Sequence, residues 1–214
     1  MADGIPGEPT NDPAGTEPVL RGAMAADAEF LAWGLDEASG GLFTTMLGPR
    51  AHTILATAAA QREHAYSFEH AVIAEVNGTR RGFCQGFPYG TPSGTSQLMK
   101  AAGIRSLRAG AIALLGWPVF SALDKHSPGE WYLQAIAVQP EARGSGVGRA
   151  LFGDAFERAA GAGCETLALD VDVTNVRAQA LYERLGLRVE SASGRAVLLD
   201  GAQVNRMTAP VSAG

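Results

Sequence analysis

Cysteine is scarce in this chain of 214 residues, and Cys84 and Cys164 stand far apart. No pair has the short spacing of zinc sites or redox motifs, so a disulfide scaffold and a cysteine-based zinc site are improbable. Positive charge is also scarce, because 17 lysines and arginines face 22 aspartates and glutamates. The net charge of −5 argues against phosphate-driven nucleic-acid binding. We expect no metal and no nucleic-acid partner.

Long apolar segments are missing as well. The longest apolar run, residues 109–123, contains Pro118 and falls short of the ~18 residues that span a bilayer. Residues 1–18 lack the apolar stretch of a signal peptide. We therefore expect a cytoplasmic protein with reduced thiols and no membrane partner. The apolar run is then expected to cover one side of a cleft or to form a subunit interface, and a homodimer stays open.

Glycine, in contrast, is abundant at 27 of 214 residues. It is expected in turns and wherever the backbone must approach another group closely. The chain length fits one compact domain with its own core. Residues 1–17 carry several prolines and few apolar groups, which predicts a disordered tail. The remaining residues, 18–210, are predicted to form a single domain.

The first half of the chain predicts short strands and helices. Asp27 is a candidate cap for a helix that continues through Leu35, and Gly40 and Gly41 break that helix. Asn77 and Gly78 are a strong hairpin turn signal. The other predicted elements are strands at 19–24, 70–76 and 82–87, a helix at 51–63, and helical signals between 98 and 107.

The second half is more informative. A nearly unbroken apolar run at 131–138 predicts a strand that is buried on both faces. A glycine-rich turn follows, and apolar positions spaced by four predict a helix at 146–162. The remaining elements are a buried strand at 165–172, an amphipathic helix at 175–185, and strands at 187–190, 197–199 and 203–208.

The turn between the 131–138 strand and the next helix carries the clearest chemical signal. Glycines at positions 144, 146 and 148 leave backbone N–H groups uncovered at the positive end of that helix, which is an anion site. Arg143 and Arg149 add charge that suits a diphosphate. The dinucleotide fingerprint fails because position 149 is arginine, and the Walker triplet occurs nowhere in the chain. A plain strand–helix turn is the alternative.

Two spaced motifs carry a family resemblance. The first joins the 133–138 strand, Pro140 and the R-x-x-G-x-G run at 143–148. The second comprises Asn175, Ala178 and the segment 181–187. Together they resemble the acetyl-CoA-binding region of the GNAT N-acetyltransferase superfamily. The resemblance implies an α/β (α+β) fold: a mixed, mostly antiparallel twisted sheet, splayed between its fourth and fifth strands and flanked by helices, with CoA in the cleft.

The resemblance also implies roles for individual residues, with acetyl-CoA as the co-substrate. Tyr182 would protonate the departing CoA thiolate, and the Val138 N–H would stabilise the oxyanion. Asn175 and Ala178 would lie along the pantetheine arm, on the same helix face as Tyr182. The backbone groups that pair with the pantetheine amides would belong to Ile136, Ala137 and Val138. The diphosphate would be held by Arg143, Gly144, Ser145, Gly146, Val147, Gly148 and Arg149.

The general base is harder to assign. Strand alternation predicts that Tyr132, Gln134 and Ile136 point to one side, and none of them is a base, although Gln134 can orient a water. Glu130 lies on the same side by alternation and is the predicted base; a solvated strand-end charge is the alternative. Three further groups are near only by analogy, and we expect surface side chains there: His64, Glu69 and His70.

The sequence thus predicts an N-acetyltransferase that transfers acetyl from acetyl-CoA directly to a primary amine. The acceptor can be a small molecule, a peptide N-terminus or a lysine. Direct attack needs no acyl-enzyme, so Cys84 and Cys164 are expected to be inert. A non-catalytic acyl-CoA-binding regulatory module is the alternative, and the absence of a basic side chain in the 131–138 strand supports it.

Overall fold

The structure is a computed structural model that describes residues 17–103, 107, 110, 126–194 and 202–211. Three predicted features lie wholly or mostly outside these residues: the tail, the apolar run at 109–123 and the strand at 197–199. None of the helices within the described residues is both long enough and apolar enough to cross a membrane.

The described residues form a seven-stranded sheet in the order β1-β2-β3-β4-β5-β7-β6. Every neighbouring pair is antiparallel except β4 and β5, which run parallel. This mixed sheet is the predicted fold class. The strands are β1 Val19–Gly22, β2 Ala71–Val76, β3 Thr79–Pro88, β4 Glu130–Val138, β5 Thr166–Asp172, β6 Arg188–Ala192 and β7 Val204–Pro210.

Helices cover both faces of the sheet, and each face has its own apolar core. Leu31, Leu55 and Phe83 belong to the core on one face, which α1, α3 and α4 cover. Val147, Leu151 and Leu167 belong to the core on the other face, which α5 covers. The helices are α1 Ala28–Ala38, α2 Leu42–Leu47, α3 Ala51–Ala59, α4 Thr95–Ala102, α5 Val147–Gly161 and α6 Val176–Arg184.

The hairpin between β2 and β3 confirms the predicted turn. Asn77 and Gly78 have φ values of 53° and 70°. Two successive positive φ values give the turn a twist that matches the flanking strands, and asparagine followed by glycine tolerates them best. The turn fixes β2 beside β3, and β3 in turn pairs along the length of β4.

A bulge in β4 overturns the predicted alternation of its side chains. Gly86 pairs with Leu133 and Gln85 pairs with Ala135, so Gln134 is an extra residue without an opposite partner. Tyr132, before the bulge, packs with Phe87. Ile136, after it, packs in the core under α5. Tyr132 and Ile136 therefore lie on opposite faces, because the bulge shifts the period of two.

Asp27 has a different role from the predicted one. It directly precedes α1, but its carboxylate accepts no hydrogen bond from that helix. Instead it accepts two from Arg21 at 2.7 and 3.0 Å, one from Arg80 at 3.2 Å, and one from the Met24 N–H at 2.9 Å. Only 3% of Asp27 is exposed. The carboxylate therefore ties β1 and β3 to the start of α1.

The pKa of Asp27 falls from 3.8 to about 2, chiefly because Arg21 donates hydrogen bonds to its carboxylate. Asp27→Asn should lower the free energy of unfolding at pH 7 by about 2 kcal/mol. A lowered native pKa stabilises the fold above the unfolded pKa, so the difference should vanish as the pH falls from about 4 to about 2.

Urea unfolding of parent and variant across this pH range measures the difference. Glu29→Gln, at an exposed position in the first turn of α1, is the control and should change stability by less than about 0.5 kcal/mol. Equal stability of Asp27→Asn and the parent at pH 7 would contradict this role for Asp27.

Candidate active site

The parallel pair at the centre of the sheet opens after a short stretch. β4 and β5 pair only through 130–132 and 166–168, whereas β3 follows β4 as far as Val138. From 133 to 138 the edge of β4 that faces β5 has no strand partner within the described residues. Unpaired backbone groups inside a protein need other partners. The opening is therefore a place for an extended ligand to hydrogen-bond to β4.

The hydrogen bonds between β3 and β4 decide which backbone groups face this opening. The Gln139 N–H donates to the Arg81 carbonyl at 2.8 Å, which makes Gly82 and Val138 a pair without mutual hydrogen bonds. Val138 therefore turns its N–H and C=O away from β3. By the same alternation Ile136 does so too, whereas the backbone of Ala137 bonds to Phe83. Of the three positions predicted to bind the pantetheine arm, Ala137 therefore uses its backbone groups within the sheet and does not face the opening.

The glycine loop lies where β4 ends and α5 begins. Gly144 and Gly146 have φ values of 84° and 89°, a conformation that glycine adopts readily. A Cβ on either residue would meet no atom within 4 Å. Glycine is therefore favoured there by the positive φ and not by a lack of space. Gly146 is the N-cap of α5, and the first turn of this 15-residue helix carries no acidic side chain. The loop therefore presents free N–H groups and a positive helix end.

The other loop residues divide between structure and charge. Ser145 Oγ donates to the Ala142 carbonyl at 2.7 Å, and the buried Val147 side chain anchors the start of α5. Arg143 donates to Glu37 on α1 at 2.9 Å and to the Val138 carbonyl at 3.3 Å. Arg149 is exposed and forms no ion pair with any described side chain. Arg149 is therefore the freer of the two predicted cations.

Helix α6 borders the opening on the same face as α5. Asn175 caps this helix, since its Oδ1 accepts from the Ala178 N–H at 3.1 Å, which leaves its side-chain amide free to donate. Tyr182 stacks on Phe152 of α5 with the ring centroids 5.9 Å apart. Burial raises the pKa of Tyr182 to about 12. The phenol is therefore protonated at neutral pH and can act as an acid.

A buried group of charges lies on the opposite face. Tyr132 Oη donates to Asp170 Oδ2 at 3.0 Å, and Arg206 of β7 donates to the same oxygen at 3.3 Å. Arg206 also forms an ion pair with Glu130. His126 Nδ1 lies 3.5 Å from Glu130 Oε1. One guanidinium therefore serves two carboxylates.

The two carboxylates of this group are not equivalent. Burial alone would raise the pKa of Glu130, but the nearby His126 and the hydrogen bond from Arg206 hold it below its ordinary value. Burial raises the pKa of Asp170 despite the nearby charge of Arg206. Asp170 Oδ1 is buried and has no hydrogen-bond partner among the described residues. Glu130, the predicted base, is thus bound as a counter-ion, whereas Asp170 keeps a free oxygen.

Asp170 was not among the residues that the sequence singled out. It lies inside the predicted strand at 165–172, directly between the apolar residues Leu169 and Val171, and that position was the available signal. Gln134 offers a second buried acceptor, because its Oε1 also has no described partner. Gln134 and Asp170 each lie two residues beyond the last paired position of their strand, at Tyr132 and Ala168. Both acceptors therefore belong to the strands that border the opening.

Other sequence candidates lie elsewhere. His64, expected at the surface, is fully buried, and burial lowers its pKa. Its Nδ1 accepts a hydrogen bond from the Tyr66 N–H at 3.1 Å. His64 therefore stabilises the local conformation of the segment that precedes β2. Both cysteines are buried, and burial raises the pKa of both thiols, that of Cys84 to about 12. Neither thiol has the low pKa of a reactive nucleophile.

The fold and the site together define a class of protein. A mostly antiparallel sheet that opens at its parallel pair, with a glycine loop and a helix N-terminus at the mouth, is the architecture that the GNAT resemblance implies. The family model described as the acetyltransferase (GNAT) family matches residues 45–187. The chain belongs to this family.

Solved structures share the fold at low sequence identity. A crystal structure of an acetyltransferase has a TM-score of 0.62 and 22% identity, covering 91% of this chain and 100% of the other. An N-acetyltransferase from Staphylococcus aureus has a TM-score of 0.62 and 16% identity, covering 89% and 99%. An acetyltransferase of the GNAT family from Streptococcus pneumoniae has a TM-score of 0.54 and 18% identity, covering 92% and 100%. These similarities concern the fold.

A curated relative is more similar over a shorter segment. Mycothiol acetyltransferase from Mycobacteroides abscessus is 42% identical over 77 residues, which are 35% of this chain. The match spans a quarter of the length of that relative, 25%. The similarity concerns a part of each protein.

Proposed function

We propose that this protein is an acetyl-CoA-dependent N-acetyltransferase that transfers the acetyl group directly to a primary amine. One observation supports this most: the opening between β4 and β5 has a protonated phenol on one face and a carboxylate with a free oxygen on the other. Tyr182 packs with the residues under α5, and Asp170 hydrogen-bonds to Tyr132 on the opposite face. A thioester held in the opening would lie between an acid and a base.

The α5 face offers the groups that acetyl-CoA needs. An anionic diphosphate suits the helix N-terminus, and the exposed Arg149 adds charge. The outward N–H and C=O of Ile136 and the C=O of Val138 suit the amides of the pantetheine arm, as in strand addition. The side-chain amide of Asn175 can donate to the pantetheine arm, and the side chain of Ala178 next to it on α6 is small. The proposed diphosphate residues remain Arg143, Gly144, Ser145, Gly146, Val147, Gly148 and Arg149.

The opposite face offers the groups that the amine needs. Asp170 Oδ1 and Gln134 Oε1 are buried acceptors that an amine N–H can satisfy. The amine lone pair attacks the thioester carbonyl carbon while its proton passes to Asp170, directly or through a water. The Val138 N–H stabilises the oxyanion. Collapse breaks the C–S bond, and Tyr182 gives its proton to the CoA thiolate.

Asp170 is a better base than Glu130 for an electrostatic reason. Glu130 shares its charge with Arg206 and His126, and its lowered pKa makes it a weak proton acceptor. We therefore propose that Glu130 positions Arg206 and that Asp170 takes the proton. The alternative of a non-catalytic acyl-CoA-binding module depended on the absence of a base in β4. Asp170, in β5, is the candidate base that we propose instead.

A thiol-release assay with acetyl-CoA and a panel of primary amines tests the proposed function, and mass spectrometry identifies the acetylated product. The parent should release CoA with at least one amine. Gly146→Glu should abolish acetyl-CoA binding in calorimetry, because it adds negative charge at the helix N-terminus.

Gly40→Glu is the matched control, since Gly40 also has a positive φ of 64° with no neighbour near a Cβ. It carries the same backbone cost away from the loop and should keep affinity. Acetyl-CoA binding without CoA release for any amine would identify a non-catalytic module.

Tyr182→Phe tests the proposed acid. The variant keeps the ring stacked on Phe152 and loses only the hydroxyl. We expect turnover to fall about 100-fold or more, while affinity for acetyl-CoA stays within about twofold. Glu183→Gln, at the exposed next position of α6, should match the parent in steady-state kinetics. Turnover of Tyr182→Phe equal to that of the parent would remove Tyr182 from the mechanism.

Asp170→Asn tests the proposed base. A base acts in its deprotonated form, so kcat/KM should fall as the pH drops through the raised pKa of Asp170. The Asn variant should lose about 100-fold or more in kcat/KM and lose this acidic limb. Glu130→Gln should keep the limb. If Asp170→Asn retains the profile and Glu130→Gln loses it, Glu130 is the base.

A further inference from the structure

We propose that the acceptor is a primary amine joined by a short link to a flat aromatic group, and that this group binds in a ring-lined pocket beside Tyr132. The inference rests on the proposed function and names its substrate class. The pocket lies where β3 ends and β4 begins, on the face that carries Asp170. Its volume of about 360 Å³ is at the small end of small-molecule sites.

Aromatic rings form the walls of this pocket. The centroid of Tyr132 lies 5.8 Å from Phe87 and 4.3 Å from His126. Phe87 and His126 stand nearly perpendicular, with an interplanar angle of 85°. Tyr89, 53% exposed, stands at the rim. Rings set at such angles offer both faces and edges, which is the geometry that a further aromatic ring prefers for packing.

Tyr132 lies between the pocket and Asp170, the proposed base. Its ring lines the pocket, while its hydroxyl donates to Asp170 Oδ2 at 3.0 Å. A ligand ring against Tyr132 is therefore close to the proposed base, and a link of a few atoms would carry an amine to it. This arrangement favours an aminoalkyl group on the ring over an amine attached to the ring directly.

The charges around the pocket argue against a second cation on the acceptor. The described lining residues include no aspartate or glutamate. The nearby carboxylate of Glu130 already forms an ion pair with Arg206. A second ammonium group would lose its hydration there without gaining a counter-charge. Polyamines and lysine-rich peptides are therefore a poorer match than an amine with an uncharged body.

A comparison of three amines tests the inference in the intact chain with acetyl-CoA. We expect kcat/KM for phenethylamine to exceed that for butylamine by about tenfold, because the ring buries more apolar area. Spermidine should be no better than butylamine. If the amines are turned over with equal kcat/KM, or if spermidine is preferred, the inference fails while the proposed function stands. If no amine releases CoA, the proposed function fails.

Two variants test whether the preference for phenethylamine arises in this pocket. Tyr89→Ala removes a ring at the rim and should raise KM for phenethylamine about fivefold, with kcat unchanged and KM for butylamine unchanged. Met24→Ala removes an exposed apolar side chain outside the pocket and is the matched control. A rise in KM for both amines, or none for phenethylamine, would overturn the assignment of the pocket.

Discussion

The separation of β4 from β5 is the constraint on which the rest of the structure depends. Three paired positions hold the two strands together, and a bulge at Gln134 begins where the pairing stops. Beyond it, β4 keeps β3 as a partner on one edge and exposes backbone groups on the other. Such groups cost free energy when they are buried without a partner. The fold thus keeps a set of unused hydrogen bonds at its centre, which an extended ligand can complete.

The opening also connects the two faces of the sheet, and this explains the arrangement of the candidate residues. The glycine loop, α6 and Tyr182 belong to the face of α5, where the helix N-terminus is the site that we propose for an anionic cofactor. Tyr132, Asp170 and the ring-lined pocket belong to the other face. In the proposed function, the two substrates would therefore approach from opposite sides and meet in the opening. Burial is the largest cause of the raised pKa of both Tyr182 and Asp170.

The sequence predicts the parts of the site that depend on local pattern. The loop at 143–149 follows from a short motif, because glycine spacing acts within a few residues. The cap at Asn175 was not predicted, although a capping side chain also acts locally. The direction of the side chains in β4 could not be predicted from the sequence, because the bulge at Gln134 depends on the register with β3. Asp170 also escaped prediction, because its importance comes from Tyr132 and Arg206, which are 38 and 36 residues away.

Arg206 stabilises the fold and also lies beside the proposed base. Its guanidinium reaches from β7 to Glu130 and Asp170, and it thereby compensates the burial of charge where β4, β5 and β7 meet. A single positive charge cannot satisfy two buried carboxylates fully. Glu130 also has His126 beside it and stays ionised, whereas burial raises the pKa of Asp170. Because Asp170 is incompletely compensated, it suits the role of proton acceptor that we propose for it, and the ion pairs that join β4, β5 and β7 also act on this proposed base.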